Sequence, residues 1–127
     1  MQTLIGMWKL MQTRAYDEMG RDMPSPLGPA PMGFVLFEAE RMIATVADGR
    51  ADMPHDTLHR AFVSYTGRYR FDGETLVTPV DGASSPNGLS DQVRRVTFQG
   101  QNRIVVVPLS RVLDRDAGLE LIWERVG

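Results

Sequence analysis

The two histidines are the first residues whose spacing suggests chemistry. His55 and His59 are the only histidines in the chain, and a separation of four residues puts both imidazoles on one face if the segment is helical. With Asp52 or Asp56 they could contribute to a metal site. Such a site needs three or four placed ligands, and His55 lies at the start of the segment, where it can precede the helix. We therefore predict no metal site and no other cofactor.

Arg94 is the second candidate. It alternates with Val96 and Phe98, so all three side chains should point to the same side of a strand. An arginine in an apolar interior must be paired, because a bare buried charge is very costly. A ligand carboxylate would serve, since arginine binds a carboxylate with two hydrogen bonds. Two alternatives stay open: pairing with an internal Asp or Glu, and a one-residue shift that puts Arg95 inside instead.

Signatures of several other chemistries are missing from the sequence. The chain has no cysteine, which excludes disulfides, thiol catalysis and cysteine–zinc sites. Ser84, Ser85 and Ser110 have no histidine motif near them, and no phosphate-binding or dinucleotide-binding glycine loop occurs. The net charge is −2, so the chain lacks the excess of positive charge that is typical of nucleic-acid-binding proteins. Catalytic residues therefore cannot be assigned.

The length and composition are those of one globular domain. We treat residues 1–127 as a single unit, with 43% hydrophobic and 24% charged residues. No apolar run approaches the ~18 residues that span a bilayer. The N-terminal residues do not have the pattern of a signal peptide. We expect a cytoplasmic protein with neither a membrane nor a nucleic-acid partner.

Short runs of strand-forming residues, separated by turn residues, dominate the sequence. Most connections are short, so neighbouring strands should be antiparallel. Eight such strands favour an all-β, closed up-and-down barrel, although a two-sheet sandwich would fit the alternation almost as well. The predicted strands cover 4–14, 33–38, 41–46, 66–71, 74–80, 91–98, 102–109 and 118–126.

Two segments interrupt this pattern. Between the third and fourth strands, Leu58, Ala61, Phe62 and Tyr65 are spaced as on one face of a helix, which predicts a short helix over 54–65. Residues 20–33 contain four prolines and three glycines, which predicts a loop without regular structure. A loop of this length in a compact domain is often functional, for example as a lid. A plain solvated connection is an equal alternative.

Several motifs, taken in order, resemble one known family. Gly6-Met7-Trp8 is similar to the Gly-x-Trp signature of lipocalins and related calycins. With the motifs below, the chain is identified as a member of the bacterial lipocalin-like domain family, which implies an eight-stranded, lipocalin-like barrel. The sequence departs from the family at Pro79, where a polar residue is expected. The further matching segments are Gly33-Phe34-Val35-Leu36-Phe37, Tyr65-Thr66-Gly67-Arg68-Tyr69, Asp91-Gln92-Val93-Arg94-Arg95 and Trp123-Glu124-Arg125.

The resemblance also implies how the barrel is closed. In lipocalins a tryptophan of the first strand packs beneath an arginine from near the last strand, and Trp8 and Arg125 are the candidates here. In a barrel with an even number of strands, the first and last strands are antiparallel neighbours. We therefore predict that the Arg125 guanidinium lies within ~6 Å of the Trp8 indole, in the cation–π range, and seals one end.

An eight-stranded barrel is just wide enough to be filled by side chains or to hold one small ligand. We expect a ligand cavity, and a protein that binds a small, mostly apolar molecule, with a carboxylate as a candidate polar group. The alternative is a small cyclase or isomerase that acts on a natural-product intermediate in the same cavity, using one placed acid or base. The residues predicted to contact the ligand are Leu10, Gln12, Tyr69, Phe71, Arg94, Val96, Phe98, Leu121 and Trp123.

Methionines on the first strand raise the question of a partner subunit. Met7 and Met11 share the outward-facing parity of this strand. Methionine adapts to irregular apolar surfaces and also serves to fill gaps. Two roles of these methionines stay open: they fill gaps in the packing, or they contact a second subunit. In the second case the protein would be a homodimer.

Overall fold

The computed structural model describes residues 2–54, 60–86, 89–109 and 118–127. Within these ranges the chain forms β-strands and no α-helix. The strands are β1 (Gly6–Tyr16), β2 (Asp22–Met23), β3 (Pro31–Phe37), β4 (Arg41–Asp48), β5 (Phe62–Arg68), β6 (Arg70–Phe71), β7 (Thr75–Thr78), β8 (Val80–Ala83), β9 (Gln92–Phe98), β10 (Arg103–Pro108) and β11 (Gly118–Arg125).

Two pairs of these strands are halves of longer, bent strands. A single residue separates β5 from β6, and Pro79 alone separates β7 from β8. Gly67 pairs with Val80 and Arg70 pairs with Val77, so one antiparallel ladder runs across both breaks. Proline has no N–H to donate to a ladder, which accounts for the break in the second strand.

The described strands thus form one closed, antiparallel sheet. Its order is β1, β3, β4, β5–β6, β7–β8, β9, β10, β11, and β11 pairs with β1 again; β2 pairs with the end of β1. Strands that follow one another in the chain are neighbours in the sheet, apart from β2. This is the up-and-down, lipocalin-like barrel predicted from the sequence, and the two-sheet sandwich is excluded.

The two ends of the barrel differ in their connections. We call the end with the start of β1 the closed end, and the opposite end the open end. The short connections 38–40, 72–74 and 99–102 lie at the closed end. The longer connections 17–30, 49–61, 84–91 and 109–117 join strands at the open end.

The helix predicted over 54–65 is wrong where the structure describes it. Phe62 begins β5, which pairs with β4 from Ala47 opposite Phe62 to Arg41 opposite Arg68. This ladder satisfies the backbone of residues 62–68, which outweighs the weak helical spacing of a few apolar residues. Residues 55–59, which include both histidines, lie outside the described residues.

Other predicted boundaries shift for local reasons. The predicted strand 74–80 is divided at Pro79, and Asp81 and Gly82, expected in a turn, lie within β8. The predicted loop 20–33 contains β2 and the first residues of β3. Pro31 is tolerated there because it is the first residue of its strand.

The inward faces of the strands build one apolar core. Each of the apolar and aromatic residues that the strand alternation placed inside belongs to this core or packs against it. Trp8, Leu10, Val96, Leu121 and Trp123 are buried, and Tyr69, Phe71 and Phe98 are partly buried against the same cluster.

Candidate functional site

Trp8 and Arg125 meet at the closed end of the barrel. Trp8 is fully buried, and its Nε1 donates a hydrogen bond to the carbonyl oxygen of Leu4 at 2.8 Å. The guanidinium carbon of Arg125 lies 4.2 Å from the centroid of the indole. The two residues are direct partners between β1 and β11. The contact expected from the sequence is therefore present.

Further hydrogen bonds hold the Arg125 guanidinium over the ring. It donates to the carbonyl oxygens of Ile5, of Thr3 at 3.0 Å and of Gln101 at 3.3 Å. Gly6 has a φ of +131°, and a Cβ there would lie 2.9 Å from Nη1 of Arg125. The glycine of the Gly-x-Trp motif is thus required by its positive φ and by the backbone oxygen of Gly127, which would lie 2.7 Å from that Cβ.

Three of the four aromatic side chains that were predicted to contact a ligand, Tyr69, Phe71 and Phe98, pack against other aromatic rings. The ring centroids of Trp8 and Phe98 are 6.4 Å apart, and those of Phe71 and Phe98 are 6.2 Å apart. Tyr69 packs edge-on against Phe37 at 5.1 Å, and its hydroxyl donates to the carbonyl oxygen of Glu38 at 2.6 Å. Burial, and after it the charge of Glu38, raises the pKa of Tyr69. These rings fill part of the barrel.

An apolar cavity occupies another part of the barrel interior. The centre of a water-sized sphere can move through about 70 Å³ of it. On β4 the lining residues are Met42, Ala44 and Val46, three successive inward positions that span ~13 Å along the strand. The other lining residues are Leu4, Val35, Phe37, Val63, Tyr65, Leu76, Arg94, Val96, Ile104, Val106, Pro108, Leu121 and Trp123.

Four of the nine predicted ligand-contact residues line this cavity: Arg94, Val96, Leu121 and Trp123. Leu10 is buried in the core but does not line the cavity, and the same holds for the partly buried Tyr69, Phe71 and Phe98. For Leu10, Tyr69, Phe71 and Phe98 the alternation correctly predicted a side chain that points into the barrel. It did not distinguish the part of the interior that side chains fill from the part that stays open.

Gln12 is exposed, and its predicted position inside the barrel is wrong. The pairing of β1 with β11 shifts between Leu10, which faces Trp123, and Gln12, which faces Ile122. This bulge adds one residue to β1, so that the residues after it alternate with the opposite parity. Ala15 is buried beyond the bulge as a result.

The β3 and β4 residues of the lining were missed in the sequence. Val35 and Phe37 on β3, and Met42 and Ala44 on β4, alternate with more exposed residues, whereas Val46 is followed by the buried Ala47. Residues 32–37 are apolar at both parities, so the sequence of β3 does not show which of its two faces points inward. Residues at the ends of strands, such as Pro108, carry no comparable signal.

Arg94, not Arg95, faces the interior. Arg94 is 7% exposed and lines the cavity, whereas Arg95 is exposed. The Arg94 guanidinium donates to Oε1 of Gln92 at 2.7 Å and to the carbonyl oxygen of Val93 at 3.0 Å. Among the lining residues that the structure describes, Arg94 alone carries a full charge. It places one fixed positive group near the open end of an apolar space.

The proline-rich segment 24–31 is anchored at the open end. Leu27 is 2% exposed and belongs to the same buried cluster as the barrel core. Thr13 Oγ1 donates to Oγ of Ser25 at 2.7 Å, and the same Oγ accepts the backbone N–H of Leu27 at 3.1 Å. The segment is therefore an ordered cover with one apolar side chain inserted.

A carboxylate supports this cover from below. The Asp48 carboxylate is buried and accepts hydrogen bonds from Arg50, at 2.6 Å from Nη2. The side-chain hydrogen bond from Arg50 holds the pKa of Asp48 below its ordinary value, although desolvation acts in the opposite direction. Gly28 has a φ of +74°, and a Cβ there would overlap the Asp48 carboxylate. The Gly49 N–H also donates to the Ala30 carbonyl at 2.7 Å.

Within the described residues, no group of three or more His, Cys, Asp or Glu side chains is placed to hold a metal ion. In the same part of the chain, none of the elements is a helix long and apolar enough to cross a bilayer.

Comparison with known proteins connects this geometry to a family. The model of the lipocalin-like domain family matches residues 5–126. A solved structure of a redesigned β-barrel is similar over 98% of this chain and 92% of its own, with a TM-score of 0.50 and 12% sequence identity. That likeness shows the fold alone. No curated protein matches the chain. The chain belongs to the lipocalin-like domain family.

Proposed function

We propose that this barrel binds one small, mostly apolar molecule in its cavity. The observation that carries the proposal is an apolar space inside the barrel with a single charged side chain, Arg94, among its described lining residues. Apart from Arg94 and Tyr65, the described lining consists of aliphatic, proline, methionine, phenylalanine and tryptophan side chains. Ligand pockets typically combine such a lining with a few polar groups that fix orientation.

The size of the cavity favours a compact ligand. The cavity volume of about 70 Å³ is well below the roughly 300–1,000 Å³ of pockets that hold drug-sized ligands. A monocyclic or short-chain molecule fits this space better than a drug-sized one. Because the lining extends over three levels of β4, a narrow ligand aligned with the strands is favoured.

We further propose a carboxylate as the polar group of the ligand. Gln92 and Val93 hold the Arg94 guanidinium in a defined orientation at the cavity wall. A carboxylate that reaches this guanidinium would form charge-assisted hydrogen bonds, which are stronger than neutral ones. The ligand would enter at the open end, with its apolar part directed into the barrel and segment 24–31 as the lid.

Catalysis by a cyclase or isomerase is the second candidate from the sequence. It requires an acid or base placed against the substrate. Tyr65 and Arg94 are the ionisable side chains among the described lining residues, and a guanidinium stays protonated, so Arg94 is neither the acid nor the base of such a reaction. Binding is therefore the function that we propose. We place it in the cytoplasm, in keeping with a chain that has no cysteine.

A thermal-shift panel tests the proposal. The probes are hexanoic, octanoic, benzoic, cinnamic and geranic acids, each compared with its methyl ester. A ligand at 100 times its Kd adds about 2.7 kcal/mol of stability, enough to raise the Tm by several degrees. We expect at least one acid to stabilise the protein more than its ester does. If no acid or ester shifts the Tm, binding in the cavity is contradicted.

Two arginine variants test the role of the charge. Arg94→Met removes the charge inside the barrel, and Arg95→Met removes a neighbouring charge on the outer face. The preference for acid over ester should disappear in R94M and persist in R95M. If R94M keeps the preference, the carboxylate part of the proposal is wrong, whereas binding of an apolar ligand would still stand.

A further inference from the structure

A groove lies along β4 on the outer face of the barrel, separate from the cavity inside. Its floor contains Thr45 and Ala47, and side chains of β3 and β5 form its walls. Its volume of about 430 Å³ lies within the roughly 300–1,000 Å³ of typical ligand pockets. We propose that this groove is a second binding site, which takes a small aromatic carboxylate.

The strand register determines the shape of the groove. Met32, Ala47 and Phe62 are cross-strand partners in one row, and Phe34 is the partner of Thr45 in the next outward-facing row. Neighbouring strands are about 4.8 Å apart, so β3 and β5 lie about 9.6 Å apart with β4 between them. Because the side chain of Ala47 is short, a trough remains between the longer side chains of Met32 and Phe62.

Two phenylalanines on opposite walls favour an aromatic ligand. Phe34 on β3 is 42% exposed, and Phe62 on β5 is 54% exposed. Neither ring packs against another aromatic ring of the residues that the structure describes. A flat aromatic group in the trough would remove apolar surface of both rings from water, and aromatic pairs gain stability beyond the area that they bury.

Two arginines at the open-end limit of the groove give it a positive charge. The Asp48 carboxylate pairs with Arg50 at 2.6 Å and so compensates that guanidinium. Arg60 instead donates from Nη1 to the carbonyl oxygens of Asp48, at 2.6 Å, and of Arg50. Among the carboxylates that the structure describes, none forms an ion pair with Arg60. An anion is therefore the charge that complements this end of the groove.

The hydrogen bonds of Arg60 favour a carboxylate in particular. The two carbonyl oxygens fix the guanidinium without adding a negative charge, and both bonds come from Nη1. A guanidinium has five N–H donors, so those on Nε and Nη2 remain for a ligand. A carboxylate accepts two parallel, charge-assisted hydrogen bonds from such a pair of nitrogens. The proposed ligand thus lays its ring in the trough and directs its carboxylate to Arg60.

A titration with 2-naphthoic acid, in protein with ¹³C-labelled methionine methyl groups, tests where an aromatic acid binds. The acid should shift the signal of Met32, which lines the groove, and leave that of Met42, which lines the cavity. Met19 is the control, because it is 79% exposed and lies outside both sites. A shift of Met42 without Met32, equal shifts of Met19 and Met32, or no shift at millimolar acid overturns the proposal.

Two arginine variants and a neutral analogue test the role of the charge by isothermal titration. Arg60→Gln should raise the Kd of 2-naphthoic acid about tenfold, the loss expected for hydrogen bonds to a charged group. The Kd of 2-naphthamide should be the same in R60Q and the wild type. Arg95→Gln is the matched control, because Arg95 is exposed on β9 outside the groove; it should keep the wild-type Kd for the acid.

Phe62→Ser tests the aromatic wall, and it should weaken the acid and the amide alike because both lose the same ring contact. An acid that binds no more tightly than its amide, or equal Kd values in R60Q and R95Q, overturns the carboxylate site. These outcomes are independent of the proposed function, because ligands of the cavity are detected through Met42 and do not depend on Arg60 or Phe62.

Discussion

The guanidinium of Arg125 joins three parts of the closed end. It covers the Trp8 indole and donates to the carbonyl oxygens of Thr3 and Gln101. The N-terminal segment, β1 and the turn before β10 therefore depend on one side chain. A residue that covers a ring and satisfies several acceptors contributes through packing as well as through charge.

Replacing Arg125 by alanine should lower the free energy of unfolding by about 2–3 kcal/mol, because the indole loses its cover and the carbonyls lose their donor. Urea denaturation measures this. Arg14→Ala, which removes an exposed arginine with a 3.6 Å ion pair, should cost about 0–1 kcal/mol. Ligand selectivity should be unchanged in R125A. Equal costs for the two variants would show that Arg125 does not hold the closed end together.

The ionised state of Asp48 is the second prediction at this scale. The Arg50 side chain lowers the pKa of Asp48 in the folded chain, whereas an unfolded Asp titrates near about 3.9. The unfolded chain then binds the proton more readily. The stabilising contribution is therefore present above about pH 4 and is lost as the pH falls through the folded-state pKa.

Asp48→Asn removes this proton-linked contribution. Between about pH 4 and pH 2, the stability of the variant should fall less steeply than that of the wild type. Chemical denaturation at a series of pH values gives both slopes. Parallel slopes would mean that the Asp48–Arg50 pair adds no pH-dependent stability.

Among the elements, the proline-rich segment 24–31 has the most specific supports. It inserts Leu27 into the core and rests Gly28 on the Asp48 carboxylate. Two glycines with similar backbone conformations separate these effects. Gly20 has a φ of +80°, and a Cβ added there would meet no atom within 4 Å, whereas a Cβ at Gly28 would meet Asp48.

Gly20→Ala should cost about 1–2 kcal/mol, the usual penalty for a side chain in the left-handed region. Gly28→Ala should cost about 1–3 kcal/mol more, because its methyl group must displace the Asp48 carboxylate. Urea denaturation gives both values, and limited proteolysis should cut segment 24–31 faster in G28A only. Equal costs and equal cleavage would show that Asp48 does not support the segment.

Element identity was predictable where alternation and turn residues agreed. β3 and β4 follow the sequence pattern closely because each has one buried face. The helix over 54–65 fails at Phe62, since pairing with β4 is a long-range contact that local spacing does not encode. The bulge after Leu10 has the same origin, because it is visible only in the register against β11.

At the scale of the whole molecule, the barrel was predictable and the shape of its interior was not. An even number of antiparallel strands places Trp8 beside Arg125, and motif and topology agree on that contact. Whether an inward residue lines the cavity depends on side chains from several strands at once. Phe71 and Phe98 fill space because they meet each other, whereas Ala44 leaves space because its side chain is short.

The central claim is that a ligand occupies the cavity beside Ala44. Isothermal titration of the acid with the largest thermal shift tests it in the series Ala44→Val, Ala44→Leu and Ala44→Phe. Overpacking should cost about 1–3 kcal/mol of stability, so circular dichroism must first confirm the barrel. Thr97→Phe is the control, because Thr97 is exposed on the outer face of β9.

Affinity should fall with each increase in side-chain volume at position 44 and be lost by at least tenfold in A44F, while T97F binds as the wild type does. Such a graded loss would locate the ligand inside the barrel. Equal affinities across the Ala44 series would contradict the claim, because the acid would then bind elsewhere on the protein.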